Sequence, residues 1–182
     1  TREQGRVQVG SDAPQAGSYE ALLDDAVGDN TYSTAALVLT VDLTGQPHAI
    51  LDFWWREFGD ENHPQDGVFI SDDYGATWHQ ALSFNNGPSA YRQEFVDLGA
   101  AATAAGMSFN DHFQMKFQFY DDRPISSDGY AIDEVRVRPA EPPEAVSISG
   151  PTSGLAEATH TFTATVTPET ATPPISYLWE ST

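Results

Sequence analysis

The segment Phe113-Gln114-Met115-Lys116-Phe117-Gln118-Phe119-Tyr120 carries the clearest structural signal in this chain. Its large apolar side chains alternate with polar ones, which is the period of a β-strand that buries one face. Similar patterns occur at 37–43, 50–58, 95–98 and 130–138, and 67–71 and 78–84 flank a turn as in a hairpin. Many short strands separated by turns predict an all-β fold, an antiparallel sandwich with one brief helix near 99–105 that Gly106 would end.

Composition excludes several functions. The chain has 182 residues, 27 acidic against 8 basic side chains, a net charge of −19 and no Cys. Nucleic-acid binding needs clustered Lys and Arg, and membrane insertion needs a run of about 18 apolar residues, neither of which occurs. Without Cys there is no disulfide and no thiolate ligand or nucleophile. The acidity fits either plain solubility or sites for a hard cation such as calcium.

A proline-rich segment divides the chain. Residues 1–139 carry a net charge of −14 and residues 140–182 one of −5 without a basic side chain. We expect a jelly-roll sandwich over 1–139, a semi-rigid linker over 140–145 and part of an Ig-like domain over 146–182, with strands near 146–148, 162–166 and 177–179. About 40 residues are too few for a whole Ig-like sandwich, so we expect either that the chain is a fragment or that another element covers the open edge.

The segment 71–78 matches the pattern S-x-D-x-G-x-T-W at every fixed position. Asp73 is expected to accept backbone N–H groups, Gly75 to take a positive φ, and Trp78 to anchor the returning strand. The predicted role is structural, and the residues assigned to this turn are Ser71, Asp73, Gly75, Thr77 and Trp78.

Asp133 is the main candidate metal ligand. Strict alternation places it on the apolar face of its strand with Val135 and Val137, where a carboxylate needs a cation or several backbone donors. A bulge that reverses the alternation is the alternative. If an ion is bound, calcium suits it because oxygen ligands are plentiful nearby. The predicted set is Asp133, Asp128, Glu20 and Asp25, with Asp24, Asp121 and Asp122 also in reach.

Trp54 and Tyr120 lie opposite the predicted core face of their strands. Exposed aromatics on a sandwich stack on sugar rings or dock a protein partner. Partial cover of both sheet faces by loops is the alternative. Both residues are candidate ligand-binding positions.

Three segments, 67–78, 115–120 and 128–135, together resemble the MAM-like and reelin-like jelly-roll modules of secreted bacterial proteins. In those families an Asp-box hairpin precedes a strand ending in aromatics and a closing strand of the form G-[WY]-x-I-D-[DEN]-[VI]. The resemblance implies a jelly roll, often with a structural calcium held in part by the Asp that matches Asp133. Residues 148–152 and 174–180 resemble the first half of a PKD-type Ig-like domain.

These observations favour a non-catalytic binding or assembly module of a larger bacterial protein, extracellular or at the cell surface. The expected partners are a carbohydrate, a protein surface or further copies of the chain. No nucleophile–base pair and no H-E-x-x-H or G-x-S-x-G motif occurs, so an enzyme would need a catalytic part elsewhere. The alternatives are an accessory domain of a secreted protease or glycosidase, and a filament or surface-layer subunit completed by strand exchange.

Overall fold

The computed structural model describes residues 4–26, 32–59, 62–122, 128–141, 143–154, 159–167, 171 and 178. The chain divides into two compact units, Thr1–Arg138 and Pro139–Thr182. Within the described residues no helix is long and apolar enough to cross a membrane.

The first unit is a sandwich of two sheets. The five-stranded sheet has the order β1-β2-β9-β4-β7 and the four-stranded sheet the order β3-β8-β5-β6. The elements are β1 Gly5–Gly10, β2 Glu20–Asp25, β3 Ser33–Val41, β4 Ala49–Glu57, β5 Gly67–Ser71, β6 His79–Ser83, β7 Arg92–Asp97, α1 Leu98–Ala105, β8 Phe113–Asp121 and β9 Gly129–Pro139.

The strand order is that of a jelly roll. From β2 onward the chain changes sheet at every connection except β5 to β6, so that β2, β9, β4 and β7 face β3, β8, β5 and β6. Strand pairs within each sheet, such as β3 with β8 and β2 with β9, are antiparallel. The predicted antiparallel jelly-roll sandwich is therefore confirmed.

The core lies between the sheets and follows the alternation seen in the sequence. In β8 all four apolar side chains are fully buried while the intervening ones are half-buried. Phe117 meets Phe53 of the opposite sheet edge-to-face, with ring centroids 4.9 Å apart. At one side of this contact, Trp55 stacks on Phe84 at 4.2 Å. These rings supply much of the apolar area that stabilises the fold.

The short helix ends at Gly106, as the sequence predicts. The carboxylate of Asp97 accepts the N–H of Ala100 as an N-cap, and Gly106 ends the helix with a φ of 71°. Strands β1 and β2 were not among the predicted elements, although Val7 and Val9 of β1 alternate with polar residues as in a strand with one apolar face.

The second unit contains one described hairpin. Strands β10, Ala145–Ser149, and β11, Thr163–Thr167, pair antiparallel, at the positions of the first two strands expected there. Val146 and Ile148 are exposed. The third expected strand, at 177–179, lies outside the described residues except for Leu178, so the Ig-like assignment stays a prediction.

Candidate functional site

The outer face of the five-stranded sheet, the face turned away from the core, carries the candidate site. Strand β4 shows how it is built: Leu51, Phe53 and Trp55 point into the core, so Trp54 and Arg56 point outward. Trp54 is half-buried and lies opposite Gln93 of β7. Two outward positions on one strand are about 7 Å apart, so Trp54 and Arg56 are neighbouring residues on this face.

Arg56 is held by a network on this outer face. Its Nη2 lies 3.3 Å from Oε2 of Glu20, and the Tyr91 hydroxyl donates to the same oxygen at 2.5 Å. The guanidinium also packs 5.3 Å from the Tyr91 ring centroid. Glu20 is only 3% exposed, and burial raises the pKa of Tyr91 above its ordinary value. The N–H of Ala13 donates to the other oxygen of Glu20 at 3.3 Å.

Two further ion pairs flank this network. Arg138 donates through Nε to the buried carboxylate of Asp52 at 2.8 Å. On the other side, Asp24 accepts from Nε of Arg6 at 2.6 Å and from the Gln8 amide at 2.7 Å. The outer face therefore presents planar polar groups that are held in fixed orientations, which suits recognition of a ligand rich in hydroxyl groups.

Sequence reasoning found Trp54 on this face but missed Arg56, Glu20 and Tyr91 as its neighbours. Arg56 shares the outward parity of Trp54, so the alternation of β4 contains that signal. The contacts of Glu20 and Tyr91 with Arg56 depend on strand order, which local patterns do not contain.

Tyr120 lies elsewhere. It belongs to β8 of the four-stranded sheet, is half-buried, and packs between Tyr32 and His63, with ring centroids 6.1 and 5.1 Å away. Its backbone N–H donates to Asp66 at 2.7 Å. The structure therefore does not bring Trp54 and Tyr120 together, and the contacts of Tyr120 are those of a packed surface residue.

The segment Ser71 to Trp78 forms the turn between β5 and β6. Asp73 accepts the Thr77 N–H at 2.9 Å, the Thr77 hydroxyl at 2.7 Å and the Ser71 hydroxyl at 2.8 Å. These bonds lower the pKa of Asp73 to about 2. Gly75 takes a φ of 78°. The residues of the motif thus stabilise the turn.

Trp78 packs on the outer face of the four-stranded sheet. The ammonium of Lys116 lies 4.4 Å from its ring centroid and 4.8 Å from that of Phe69. Burial lowers the pKa of Lys116. The indole therefore covers the one Lys of the chain and ties the returning strand to β8.

The alternation argument for Asp133 fails in the structure. Glu134 has a φ of 52°, and the side of the strand that faces the core changes there. Tyr130 and Ile132 point into the core before it, and Val135 and Val137 pack against the core after it. The alternative of a bulge therefore describes β9, and Asp133 is only half-buried.

The carboxylate of Asp133 accepts two backbone N–H groups, from Ala16 at 3.0 Å and from Glu134 at 2.7 Å. The sequence argument required either a cation or several backbone donors for this carboxylate, and these two N–H groups are backbone donors. Calcium coordination by Asp133 stays a prediction.

The other predicted ligands lie at two ends of one strand pair. Glu20 and Asp25 are the first and last residues of β2, about 16 Å apart along an extended strand. The register places Asp24 opposite Gly129, so Asp25 lies beside Asp128, whereas Glu20 lies near Asp133. One ion with ligands at about 2.4 Å cannot contact both pairs.

A further group of metal-ligating side chains lies around the end of β8. One ligand atom each of His63, Asp121 and Asp122 lies within 4.8 Å of the others, with Asp121 buried and Asp122 exposed. Nearby, burial raises the pKa of Asp66 to about 7, although the N–H groups of Tyr120 and His63 donate to it.

Comparisons with known proteins add little beyond this geometry. No protein-family model matches the chain, and no curated protein sequence matches it. The chain is similar in structure to the CBM22-1 xylan-binding domain of Xyn10C from Paenibacillus barcinonensis, with 9% identity over 75% of this chain and 82% of that one and a TM-score of 0.45. It is also similar to a family 30 carbohydrate binding module, with 10% identity over 75% and 87% and a TM-score of 0.48.

Proposed function

We propose that residues 1–139 form a non-catalytic carbohydrate-binding module whose ligand lies on the outer face of the five-stranded sheet. The observation that carries the proposal is the pair of Trp54 and Arg56 at neighbouring outward positions of β4. The indole offers a flat apolar surface for the C–H face of a sugar ring. The guanidinium offers donors in a fixed fork for its hydroxyl groups.

The network behind Arg56 supports this proposal. Glu20 is buried and Tyr91 half-buried on the face turned away from the main apolar cluster. Buried polar groups cost free energy unless they are paired, so a network in this place is better explained by orientation of a surface group than by core packing. A pre-oriented donor loses little side-chain entropy when a ligand binds. An extracellular or cell-surface location, where polysaccharides are accessible, belongs to the same proposal.

The test is isothermal titration of the full chain with a panel of soluble polysaccharides and oligosaccharides. At least one glycan is expected to bind, and Trp54→Ala is expected to weaken it about tenfold, since a stacked aromatic contributes roughly 1.5 kcal/mol beyond buried area. Arg56→Met should weaken it similarly. The matched control is Tyr74→Ala, an exposed aromatic in the turn between β5 and β6 of the other sheet.

Two results would reject the proposal. One is the absence of binding to every glycan in the panel by a chain that melts cooperatively. The other is equal weakening by Trp54→Ala and Tyr74→Ala, which would place the ligand away from the five-stranded sheet.

A further inference from the structure

Three metal-ligating side chains meet at one end of the four-stranded sheet. His63 lies in the segment before β5, Asp121 is the last residue of β8, and Asp122 follows it. One ligand atom of each lies within 4.8 Å of the others, and Nε2 of His63 is 4.0 Å from Oδ1 of Asp122. Strands β5 and β8 are neighbours in this sheet, so one nitrogen and two oxygen ligands converge from separate segments.

The imidazole of His63 gives the first indication that the group binds an ion. Its side chain is only 13% exposed, and its Nε2 is buried without a hydrogen-bond partner among the described residues. The 4.0 Å to Asp122 is too long for a hydrogen bond. A buried polar atom left unpaired costs about 1 to 3 kcal/mol in proteins. In the neutral ring with its proton on Nδ1, Nε2 carries a lone pair, which a metal ion beside the two carboxylates would accept.

The two carboxylates supply the charge that such an ion needs. Asp121 is fully buried, whereas the side chain of Asp122 is 63% exposed. Together they can carry two negative charges, which equal the charge of one divalent cation. One ligand is thus fixed inside the fold while the other is in contact with solvent, which gives an ion a path into the site.

Asp66 joins the two segments that carry the ligands. Its carboxylate accepts the N–H of His63 at 3.2 Å through one oxygen and the N–H of Tyr120 at 2.7 Å through the other. Its own N–H donates to the His63 carbonyl at 3.1 Å, which closes a turn. The rings of Tyr120 and His63 pack edge-to-face, with centroids 5.1 Å apart. The imidazole is therefore held in place before an ion binds, which lowers the cost of binding.

We propose that His63, Asp121 and Asp122 bind one divalent transition-metal ion, with zinc preferred. Zinc takes four ligands in a tetrahedron at about 2.0 to 2.2 Å, so neighbouring ligand atoms around it are about 3.3 Å apart. The three atoms must therefore approach one another by about 1.5 Å at most, and rotation of the exposed Asp122 side chain can supply that movement. Three protein ligands leave the fourth position to water.

The imidazole ligand separates this site from the calcium expected from the sequence. Calcium takes six to eight oxygen ligands, whereas imidazole suits zinc, copper, iron and nickel. Asp121 and Asp122 alone would fit either kind of ion, and His63 decides between them. The carboxylate of Asp133, which accepts two backbone N–H groups, does not belong to this set.

Such an ion would join the connection between β4 and β5 to the end of β8. Because it binds the folded chain through ligands from separate segments, it should stabilise the first unit. This role goes beyond sugar binding and does not depend on it.

The test is isothermal titration of the full chain, freed of metal with a chelator, with zinc, calcium and magnesium chlorides in separate experiments. We expect one zinc per chain, weaker binding of calcium and magnesium, and a higher melting temperature with zinc. Cobalt(II), which occupies zinc sites and absorbs visible light, should give a spectrum that excess zinc removes.

Variants of two ligands locate the site. His63→Ala and Asp122→Asn should each weaken zinc binding about tenfold or more, since even the outer-shell partners of a metal contribute that much. Their matched controls are His79→Ala in β6 and Asp42→Asn directly after β3, which change exposed side chains of the same types. Neither control should change zinc binding.

Two further measurements cover the case in which a ligand variant folds poorly. In isotope-labelled protein observed by NMR, the Nε2 resonance of His63 should shift on addition of zinc while that of His79 stays. Asp122→Asn changes an exposed side chain, so without metal its melting temperature should match that of the original chain.

Three outcomes would overturn the proposal. They are no zinc binding by a chain that melts cooperatively, equal weakening by the control variants, and calcium bound more tightly than zinc with no effect of His63→Ala.

Discussion

Arg56 and Glu20 form an ion pair, and removing the charge of one partner should cost more stability than removing that of the other. The Glu20 side chain is 1% exposed, whereas that of Arg56 is 22% exposed. Arg56→Met leaves a buried carboxylate whose remaining donors are the Tyr91 hydroxyl and one backbone N–H. Removal of one partner from a buried ion pair costs roughly 3 kcal/mol when the other cannot reach water.

Glu20→Gln should cost less. The guanidinium that remains is partly in water and still packs over the rings of Phe58 and Tyr91. The expected loss is about 1 kcal/mol, that of an ordinary hydrogen bond. The double variant should lose clearly less than the sum of the two, because the buried charge and its partner disappear together.

The assay is equilibrium urea denaturation of the two single variants and the double variant at neutral pH. The free energy of unfolding of a unit of this size is expected to be about 7 to 20 kcal/mol. Every variant should therefore still show a native baseline. Unchanged m-values would show that the denatured state is the same in each. The reasoning is refuted if Glu20→Gln costs as much as Arg56→Met, or if both cost under about 0.5 kcal/mol.

Two other predictions test the turn that contains Asp73 and the apolar core around Phe117. Asp73 has a lowered pKa, so its contribution to stability is complete above its ordinary pKa of 3.8 and is lost as pH falls through about 2. Asp73→Asn should therefore flatten the fall in melting temperature between pH 5 and pH 2. An unchanged dependence of melting temperature on pH would contradict this. Phe117→Ala removes a fully buried ring that meets Phe53 across the core, and should cost about 3 to 5 kcal/mol in urea denaturation; a loss below about 1 kcal/mol would mean that the sheets close over the gap.

Much of the sandwich follows from its sequence because alternation survives wherever a strand is regular. In β8 the pattern from Phe113 to Phe119 and the burial agree residue by residue. In β9 the same rule misplaced Asp133, since Glu134 adopts a positive φ that its residue type does not announce. A Gly or Asn there would have signalled an irregular strand.

The candidate sites were harder to predict because they join distant segments. Asp25 and Asp128 were each expected as metal ligands, but only the pairing of β2 with β9 shows that they are neighbours. Tyr91 was not expected at the sheet site, because it contacts Glu20 from 71 positions away in the sequence.

The position of β9 between β2 and β4 also sets the order of events during synthesis. Leu23 pairs with Tyr130, which is synthesised more than a hundred residues later. The centre of this sheet therefore cannot form before that point. At a translation rate of 5 to 20 residues per second, β2 stays without this neighbour for roughly 5 to 20 seconds. A chain of such high contact order folds slowly once complete. During that interval its apolar strands are exposed, so this unit should depend on chaperones more than a helical protein of equal length.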